Sequence, residues 1–141
     1  MAVLAQLYQS CFADQLEEYA YDARLAGISY DVNVLPRGVR CTFGGYNEKL
    51  LDFSTYILNK LSSPSVLPQT DQEWTRYLDN YKRALKAFDV SQPYSHAIYY
   101  SSLTFQPLAF QYTNAQLRNA LTEITRNDLT EYVQTLWSSG I

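Results

Sequence analysis

The sequence is poor in the residues from which metal and redox sites are built. Its 141 residues include one histidine, two cysteines and one methionine. A catalytic zinc ion takes three protein ligands and keeps an open position for water. His96 has no cysteine or carboxylate within four positions along the chain. We therefore predict an ordinary histidine on a helix face, hydrogen-bonded or solvated, and no metal, cofactor or catalytic site in this chain.

Strong charge and long apolar runs are also missing. A net charge of -3 gives no general attraction to phosphates or anionic lipids. No stretch approaches the roughly 20 apolar residues of a membrane span, and the N-terminus lacks the positive start of a signal peptide. We predict protein or peptide partners, with no nucleic acid and no membrane.

The two cysteines, Cys11 and Cys41, fall on the apolar faces of a predicted helix and a predicted strand. Cysteine in such a position usually behaves as a small hydrophobic residue. This placement favours free thiols in a reducing, cytoplasmic compartment.

Hydrophobic residues make up 47% of the chain and aromatic residues 15%, which is typical of a packed domain and not of disorder. No repeat, linker or low-complexity segment interrupts residues 1–141. We predict one domain, or a fragment of one.

The spacing of apolar residues changes within the N-terminal third of the chain. Apolar residues recur at helical spacing from Val3 to Ala26, and Gly27 supplies a stop. The predicted buried stripe is Leu4, Leu7, Tyr8, Cys11, Phe12, Leu16, Tyr19, Ala20 and Ala23. Strict alternation follows from Ile28 to Val34 and from Val39 to Phe43, with the turn "LPRG" between them, so the pattern predicts an antiparallel hairpin.

A helix that continues directly into a strand has to fold back over the sheet. The small residues Ala20, Ala23, Ala26 and Gly27 are expected to let it lie close. In "FGGYN", the glycine pair is expected to release the second strand, and Asn47 to cap the next helix.

The rest of the chain is helical in pattern. Between Asn47 and Leu61 the apolar positions are Leu50, Leu51, Phe53, Ile57, Leu58 and Leu61. Later helix starts are predicted from Pro93 and from three capping pairs: Thr70 with Glu73, Thr113 with Gln116, and Thr125 with Asp128. The predicted fold class is α+β: an N-terminal helix, an antiparallel hairpin, then about five helices packed as a layer.

Four segments agree in order and spacing with a known family. They are "LEEYAYDARLAGISYDV", "GVRCTFGGYNEKLLDF", "QPYSHAIYYSSL" and "LRNALTEITRNDLTEYVQTLW". From about Leu4 to Trp137 the chain resembles the third, non-catalytic domain of the pitrilysin family of zinc metallopeptidases, on the insulysin and nardilysin branch. The resemblance implies four similar α+β domains in two bowl-shaped halves, around a closed chamber that takes in peptides.

In that family the zinc ion is held in the first domain by an inverted H-x-x-E-H motif, which needs two histidines. The resemblance therefore implies an inactive, structural domain in the C-terminal half of a zinc peptidase. Its partners would be the other domains and the peptide substrates. The hairpin would belong to a larger sheet, and the strands that precede it in the family are not in this chain. We expect a fragment or truncated product with an unpaired sheet edge and an exposed apolar face.

A different class of protein stays open. A free-standing interaction module would bind an extended peptide or a partner domain through the hairpin edge or a helical groove. The reading frame on both sides of the segment distinguishes this alternative from a peptidase domain.

Two further groups of residues have functional and structural interpretations. The segment from Trp74 to Phe88 mixes aromatic and basic residues, as a nucleic-acid surface does, but an amphipathic helix with the aromatics in its core stripe explains it better. Its stripe would be Trp74, Tyr77 or Leu78, Tyr81, Leu85 and Phe88. The hairpin residues Tyr30, Arg40 and Tyr46 are candidate chamber-wall positions, although alternation alone does not say which of them face outward.

Overall fold

The computed structural model describes residues 1–35, 38–105, 107 and 111–138. A long helix is followed by a two-stranded hairpin and, in the described part, by five helices. The elements are α1 (Ala2–Leu25), β1 (Ser29–Leu35), β2 (Gly38–Gly44), α2 (Asn47–Leu61), α3 (Asp71–Ala87), α4 (Pro93–Phe105), α5 (Asn114–Glu123) and α6 (Arg126–Ser138). Short 3-10 turns occupy Pro64–Val66 and Phe88–Val90. The predicted α+β class and order of elements are confirmed.

The end of α1 is set by Gly27, as predicted. Gly27 has a φ of 80°, a left-handed conformation in which a Cβ atom is unfavourable. Its N–H donates to the carbonyl of Arg24 at 3.0 Å, and the N–H of Ile28 donates to the carbonyl of Ala23 at 2.9 Å. These two bonds form a Schellman motif, which ends the helix, and β1 begins only three residues later.

The backbone just after β2 lies against the backbone just before β1. A Cβ atom added to Gly45 would lie 2.9 Å from the carbonyl oxygen of Gly27 and 3.0 Å from the Cα atom of Ile28. Because Gly45 has no Cβ atom, the two backbone segments can meet, and α2 can begin beside the end of α1. Of the small residues predicted to allow close packing, Ala20 is buried, but Ala26 is exposed because it occupies the C-cap position of the helix.

The hairpin is antiparallel, with Val32 opposite Cys41 and Val34 opposite Val39. Val32 is buried, as is Ile28 just before the strand. The other members of the predicted inner face pack partly buried against the core: Tyr30, Val34, Val39, Cys41 and Phe43. The turn residues Pro36 and Arg37 lie outside the described residues. Within the described part of the chain the sheet has two strands.

The core is centred on α1, which contacts β1, α3, α5 and α6. Its fully buried side chains include Leu7, Tyr8, Cys11 and Leu16. Tyr19 is 42% exposed, contrary to the prediction, because it lies at the margin of the core and packs against the ring of Tyr56, 4.1 Å between centroids.

Helix α2 buries a narrower stripe than predicted. Phe53, Ile57 and Leu61 face the core, whereas Leu51 and Leu58 are 74% and 46% exposed. The three buried residues recur every four positions, and Leu58 and Leu51 lie about 100° and 120° around the helix from Ile57, the middle of that stripe. Leu51 and Leu58 therefore lie outside the buried face, although they belong to the apolar positions that predicted the helix.

Four residues were predicted to cap helix starts, and three of them do so. Thr70 with Glu73 and Thr113 with Gln116 form complete capping boxes. The Thr125 N–H donates to Asp128 at 2.8 Å, and the Asp128 N–H donates to the Thr125 hydroxyl at 3.3 Å. Proline opens α4 at Pro93, as predicted. The prediction for α2 is wrong by one residue, since that helix already begins at Asn47 and the extended backbone of Tyr46 holds the N-cap position.

Candidate interaction surfaces

His96 lies on α4, where its Nε2 atom is 3.3 Å from the hydroxyl of Ser91 and its ring centroid is 4.5 Å from that of Phe88. This is the hydrogen-bonded position on a helix face that the sequence predicts. Among the described residues, no three His, Cys, Asp or Glu side chains come together as metal ligands. A catalytic zinc site needs three such ligands at one point, and the described donors do not meet in this way.

The aromatic residues of α3 face the protein interior. Tyr77 and Leu85 are buried, and Trp74, Leu78 and Tyr81 pack partly buried against the core. The predicted core stripe of an amphipathic helix is therefore present on α3. Phe88 lies in the 3-10 turn that follows α3, with its ring centroid 4.8 Å from that of Tyr99.

One basic residue of α3 joins that helix to α1. An Arg76 Nη atom lies 2.7 Å from a carboxylate oxygen of Asp14, and the Tyr77 hydroxyl donates to the same oxygen at 2.7 Å. The guanidinium carbon of Arg76 is also 5.0 Å from the Tyr77 ring centroid. Burial and the hydrogen bond to Asp14 both raise the pKa of Tyr77. The cluster therefore joins α3 to α1.

A second polar contact is fully inside the protein. Tyr8 is 0% exposed, and its hydroxyl donates to the carbonyl of Leu61 at 2.5 Å and accepts from the indole N–H of Trp137 at 3.2 Å. It therefore ties α1 to the ends of α2 and α6. Burial raises the pKa of Tyr8 from 10.0 to about 12 and that of the Cys11 thiol from 9.0 to about 12.

These two pKa values predict instability in alkali. A group whose pKa is raised by folding contributes stability below its unfolded pKa and loses it as the pH rises through the folded pKa. We expect the free energy of unfolding, measured by urea titration followed by circular dichroism, to fall between pH 9 and about 12. Because burial also raises the pKa of the Cys41 thiol, Cys11→Ala should reduce the loss in this range, and Cys41→Ala should leave the Cys11 contribution in place. A loss unchanged by Cys11→Ala would contradict this assignment.

A cleft runs between α1 and the edge of β1 that is not paired with β2. We call it the edge slot, and its lining residues are Gln9, Phe12, Ala13, Arg24, Ser29, Tyr30, Asp31 and Val32. The side-chain carbonyl of Gln9 accepts from the backbone N–H of Val34 at 3.4 Å, and its amide donates to the Asn33 side chain at 3.5 Å. Gln9 thus covers the edge at one end of the slot. Sequence reasoning missed this cleft because it depends on where α1 crosses the hairpin.

Of the three hairpin residues considered as chamber-wall positions, Tyr30 turns toward the core, with its ring centroid 5.8 Å from that of Phe53. Arg40 and Tyr46 are exposed. The structure therefore leaves Arg40 and Tyr46 as outward-facing positions.

The exposed apolar face predicted from the sequence is present on α4, which has no buried residue. Tyr94, Ile98 and Phe105 are 66%, 64% and 87% exposed, and their spacing puts them on one side of the helix. His96 and Tyr99 on the other side hold the helix to the protein. Apolar surface of this kind typically marks contact with other protein. Across the described helices, none is both long and apolar enough to span a bilayer.

Several known proteins are similar to this chain in sequence or in fold. A family model described as the middle or third domain of peptidase M16 matches residues 1–120. The human insulin-degrading enzyme is 32% identical over 135 residues, and the Arabidopsis thaliana protein named insulin-degrading enzyme-like 1, peroxisomal, is 30% identical over 141 residues. These alignments cover 96% and 97% of this chain, but 13% and 14% of the relatives.

The crystal structure of pitrilysin has the same fold, with a TM-score of 0.81 at 18% sequence identity, over 96% of this chain and 14% of that one. The predicted family resemblance is confirmed by the sequence matches, and the fold agrees with it. The chain belongs to the M16 peptidase family, in which it corresponds to the middle domain.

Proposed function

We propose that this chain is a non-catalytic structural domain of a zinc metalloendopeptidase, forming part of the wall of a closed chamber in which peptides are degraded. The observation that carries the proposal is the match to the middle domain combined with a single histidine in 141 residues. An H-x-x-E-H motif needs two histidines. The zinc site and the hydrolysis therefore belong to another domain of the parent protein.

Two surfaces support the structural role. The apolar stripe of α4 is suited to packing against a neighbouring domain, and the hairpin has an unpaired edge that can join a larger sheet. The partners would then be the other domains and the enclosed peptides. The net charge of -3 and the free thiols of Cys11 and Cys41 support a cytoplasmic protein without nucleic-acid or membrane contacts.

The test is to isolate the native protein from its source with an antibody against this domain. We expect a polypeptide several times longer than this chain, which carries zinc and cleaves an internally quenched peptide. A chelator should stop cleavage and added zinc should restore it. The separate 141-residue chain, assayed in parallel with zinc, should cleave nothing.

Recovery of a native protein of 16.2 kDa without zinc would overturn the proposal and support the free-standing interaction module. Hydrolysis by the separate chain would overturn it as well. The reading frame on both sides of the segment gives the matching genetic observation: an upstream H-x-x-E-H motif and coding sequence beyond Ile141.

A further inference from the structure

Two exposed tyrosines on neighbouring helices have their rings in contact. Tyr19 on α1 and Tyr56 on α2 have ring centroids 4.1 Å apart, with an angle of 33° between the ring planes. The two side chains are 42% and 41% exposed, so small molecules in the solvent can reach both rings. The pair therefore combines close contact between two phenols with access from outside.

A buried ring holds the pair in place. Phe53 is 4% exposed, and its ring centroid lies 5.8 Å from that of Tyr19, with the two planes at 4° to each other. Phe53 and Tyr56 are three positions apart on α2, which puts them on neighbouring turns of one side of the helix. Tyr19 packs against both rings, and this restricts its rotation and keeps the two phenols together.

A second pair of tyrosine rings in the described part of the chain has a different geometry. The ring centroids of Tyr99 and Tyr100 are 5.1 Å apart, and their planes meet at 68°. In such an arrangement the edge of one ring points at the face of the other. Centroids only 4.1 Å apart, as in Tyr19 and Tyr56, require the two rings to overlap, so that carbon atoms of one ring lie over carbon atoms of the other.

From this contact we propose that Tyr19 and Tyr56 are a site of oxidative cross-linking, where hydrogen peroxide activated by a haem peroxidase joins the two rings as dityrosine. Each phenol loses one electron and one proton, which leaves unpaired spin on the ring carbon next to the C–O carbon. The two radicals form one carbon–carbon bond through these atoms, and the hydrogen on each then moves to the phenol oxygen. Peroxide takes up the two electrons and two protons and leaves as two water molecules.

Proximity makes this reaction one that occurs within a single chain. Two radicals that are held in contact combine without diffusing together, as reactants do when an enzyme holds them side by side. Tyr21, Tyr46 and Tyr94 are also exposed, but in the described part of the chain none of them has another tyrosine ring beside it. Their radicals would have to meet a second molecule, so their coupling would depend on protein concentration.

The cross-link would fasten the N-terminal part of the fold. The end of α1, the hairpin and the start of α2 lie between Tyr19 and Tyr56, so the new bond closes a loop around them. Closing a loop lowers the entropy of the unfolded chain and thereby stabilises the folded one. Thiols do not cleave a carbon–carbon bond, so the link persists where Cys11 and Cys41 stay reduced. None of this depends on the proposed peptidase role.

The experiment treats the full chain with a haem peroxidase and small successive additions of hydrogen peroxide. Photo-oxidation by tris(bipyridine)ruthenium(II) with persulfate runs in parallel, because this small oxidant does not have to dock on the protein. We expect a monomer that has lost two hydrogen atoms and emits the blue fluorescence of dityrosine. Trypsin should release residues 1–24 joined to residues 50–60, with the bond at Tyr19 and Tyr56. Dilution of the protein by about tenfold should leave the yield unchanged.

Three conservative variants locate the bond. Tyr19→Phe and Tyr56→Phe keep the ring and remove the phenol, so each should lower the yield of cross-linked monomer by about tenfold or more. Tyr21→Phe is the matched control at an exposed position of the same helix, and it should change the yield by less than about twofold. Far-ultraviolet circular dichroism checks that each variant is folded. The cross-linked chain should unfold at a higher urea concentration than the untreated chain, and oxidised Tyr56→Phe should show no such shift.

Several results would overturn the proposal. Dityrosine found only in covalent dimers, in a share that rises with protein concentration, would assign the coupling to encounters between chains. A cross-linked monomer that forms equally in Tyr56→Phe, or a tryptic product that joins other tyrosines, would place the bond elsewhere. Absence of dityrosine with both oxidants would show that the two rings do not couple.

Discussion

Replacing Tyr8 with alanine should lower the free energy of unfolding by about 3–5 kcal/mol, and replacing it with phenylalanine by about 1–3 kcal/mol. The alanine variant loses the tyrosine ring and leaves a cavity in the core, where the side chain of Tyr8 is fully buried. The phenylalanine variant keeps the ring and removes only the hydroxyl. The carbonyl of Leu61 and the indole N–H of Trp137 then lose their partner.

Urea titration followed by tryptophan fluorescence measures both effects. Tyr21→Phe is the matched control, because Tyr21 lies on the same helix and is 60% exposed; we expect it to change stability by less than about 0.5 kcal/mol. If Tyr8→Phe is as stable as the parent, the hydroxyl does not hold the three helices together. Combining Tyr8→Phe with Trp137→Phe in a double-mutant cycle should show a coupling energy, since the two side chains share one hydrogen bond.

Replacing Gly45 with alanine should destabilise the protein more than replacing Gly38 with alanine, although the two backbones have nearly the same φ, 148° and 147°. Both substitutions force an L residue into a conformation that costs about 1–3 kcal/mol. At Gly38 the added Cβ meets nothing within 4 Å, whereas at Gly45 it meets the carbonyl oxygen of Gly27 at 2.9 Å. The difference between the variants therefore measures the close approach of the two backbones.

We expect Gly38→Ala to cost about 1–2 kcal/mol and Gly45→Ala about 3 kcal/mol or more, because the atoms it meets are backbone and cannot rotate away. Thermal and urea unfolding of the two variants, side by side, gives the comparison. Equal losses would show that only φ matters and that the hairpin exit can move away from the helix end. A Gly45→Ala variant that does not fold is compatible with the larger cost, provided that Gly38→Ala folds.

Local chemistry made much of the fold predictable. The stop at Gly27 and the threonine caps each depend on a few neighbouring backbone groups, so the sequence shows them without knowledge of the rest of the molecule. Strand alternation likewise separated apolar from polar positions in the hairpin, and the structure shows that the apolar side, with Val32 and Ile28 buried, faces the core. The prediction failed at the margin of the core, where Tyr19 is apolar but exposed, because the width of a buried face depends on the neighbouring elements.

The candidate binding surface was less predictable than the fold. The sequence indicated a hairpin with an unpaired edge, but it did not say that α1 crosses beside β1 or that Gln9 covers Val34, contacts between residues 25 positions apart. Neither the slot nor the meeting of Arg24 and Asp31 among its lining residues has a local signature. Both result from packing.

By itself, the amino-acid sequence determined the order and type of the elements, the family, and the absence of the two histidines that an inverted zinc motif needs. Those properties depend on residue identity and on short-range spacing. Only the tertiary structure decided which apolar residues are covered, that one buried hydroxyl joins α1 to α2 and α6, and that the free edge of β1 opens into a cleft. Burial and long-range hydrogen bonds depend on how the helices pack against one another, and that arrangement is set by all the elements together.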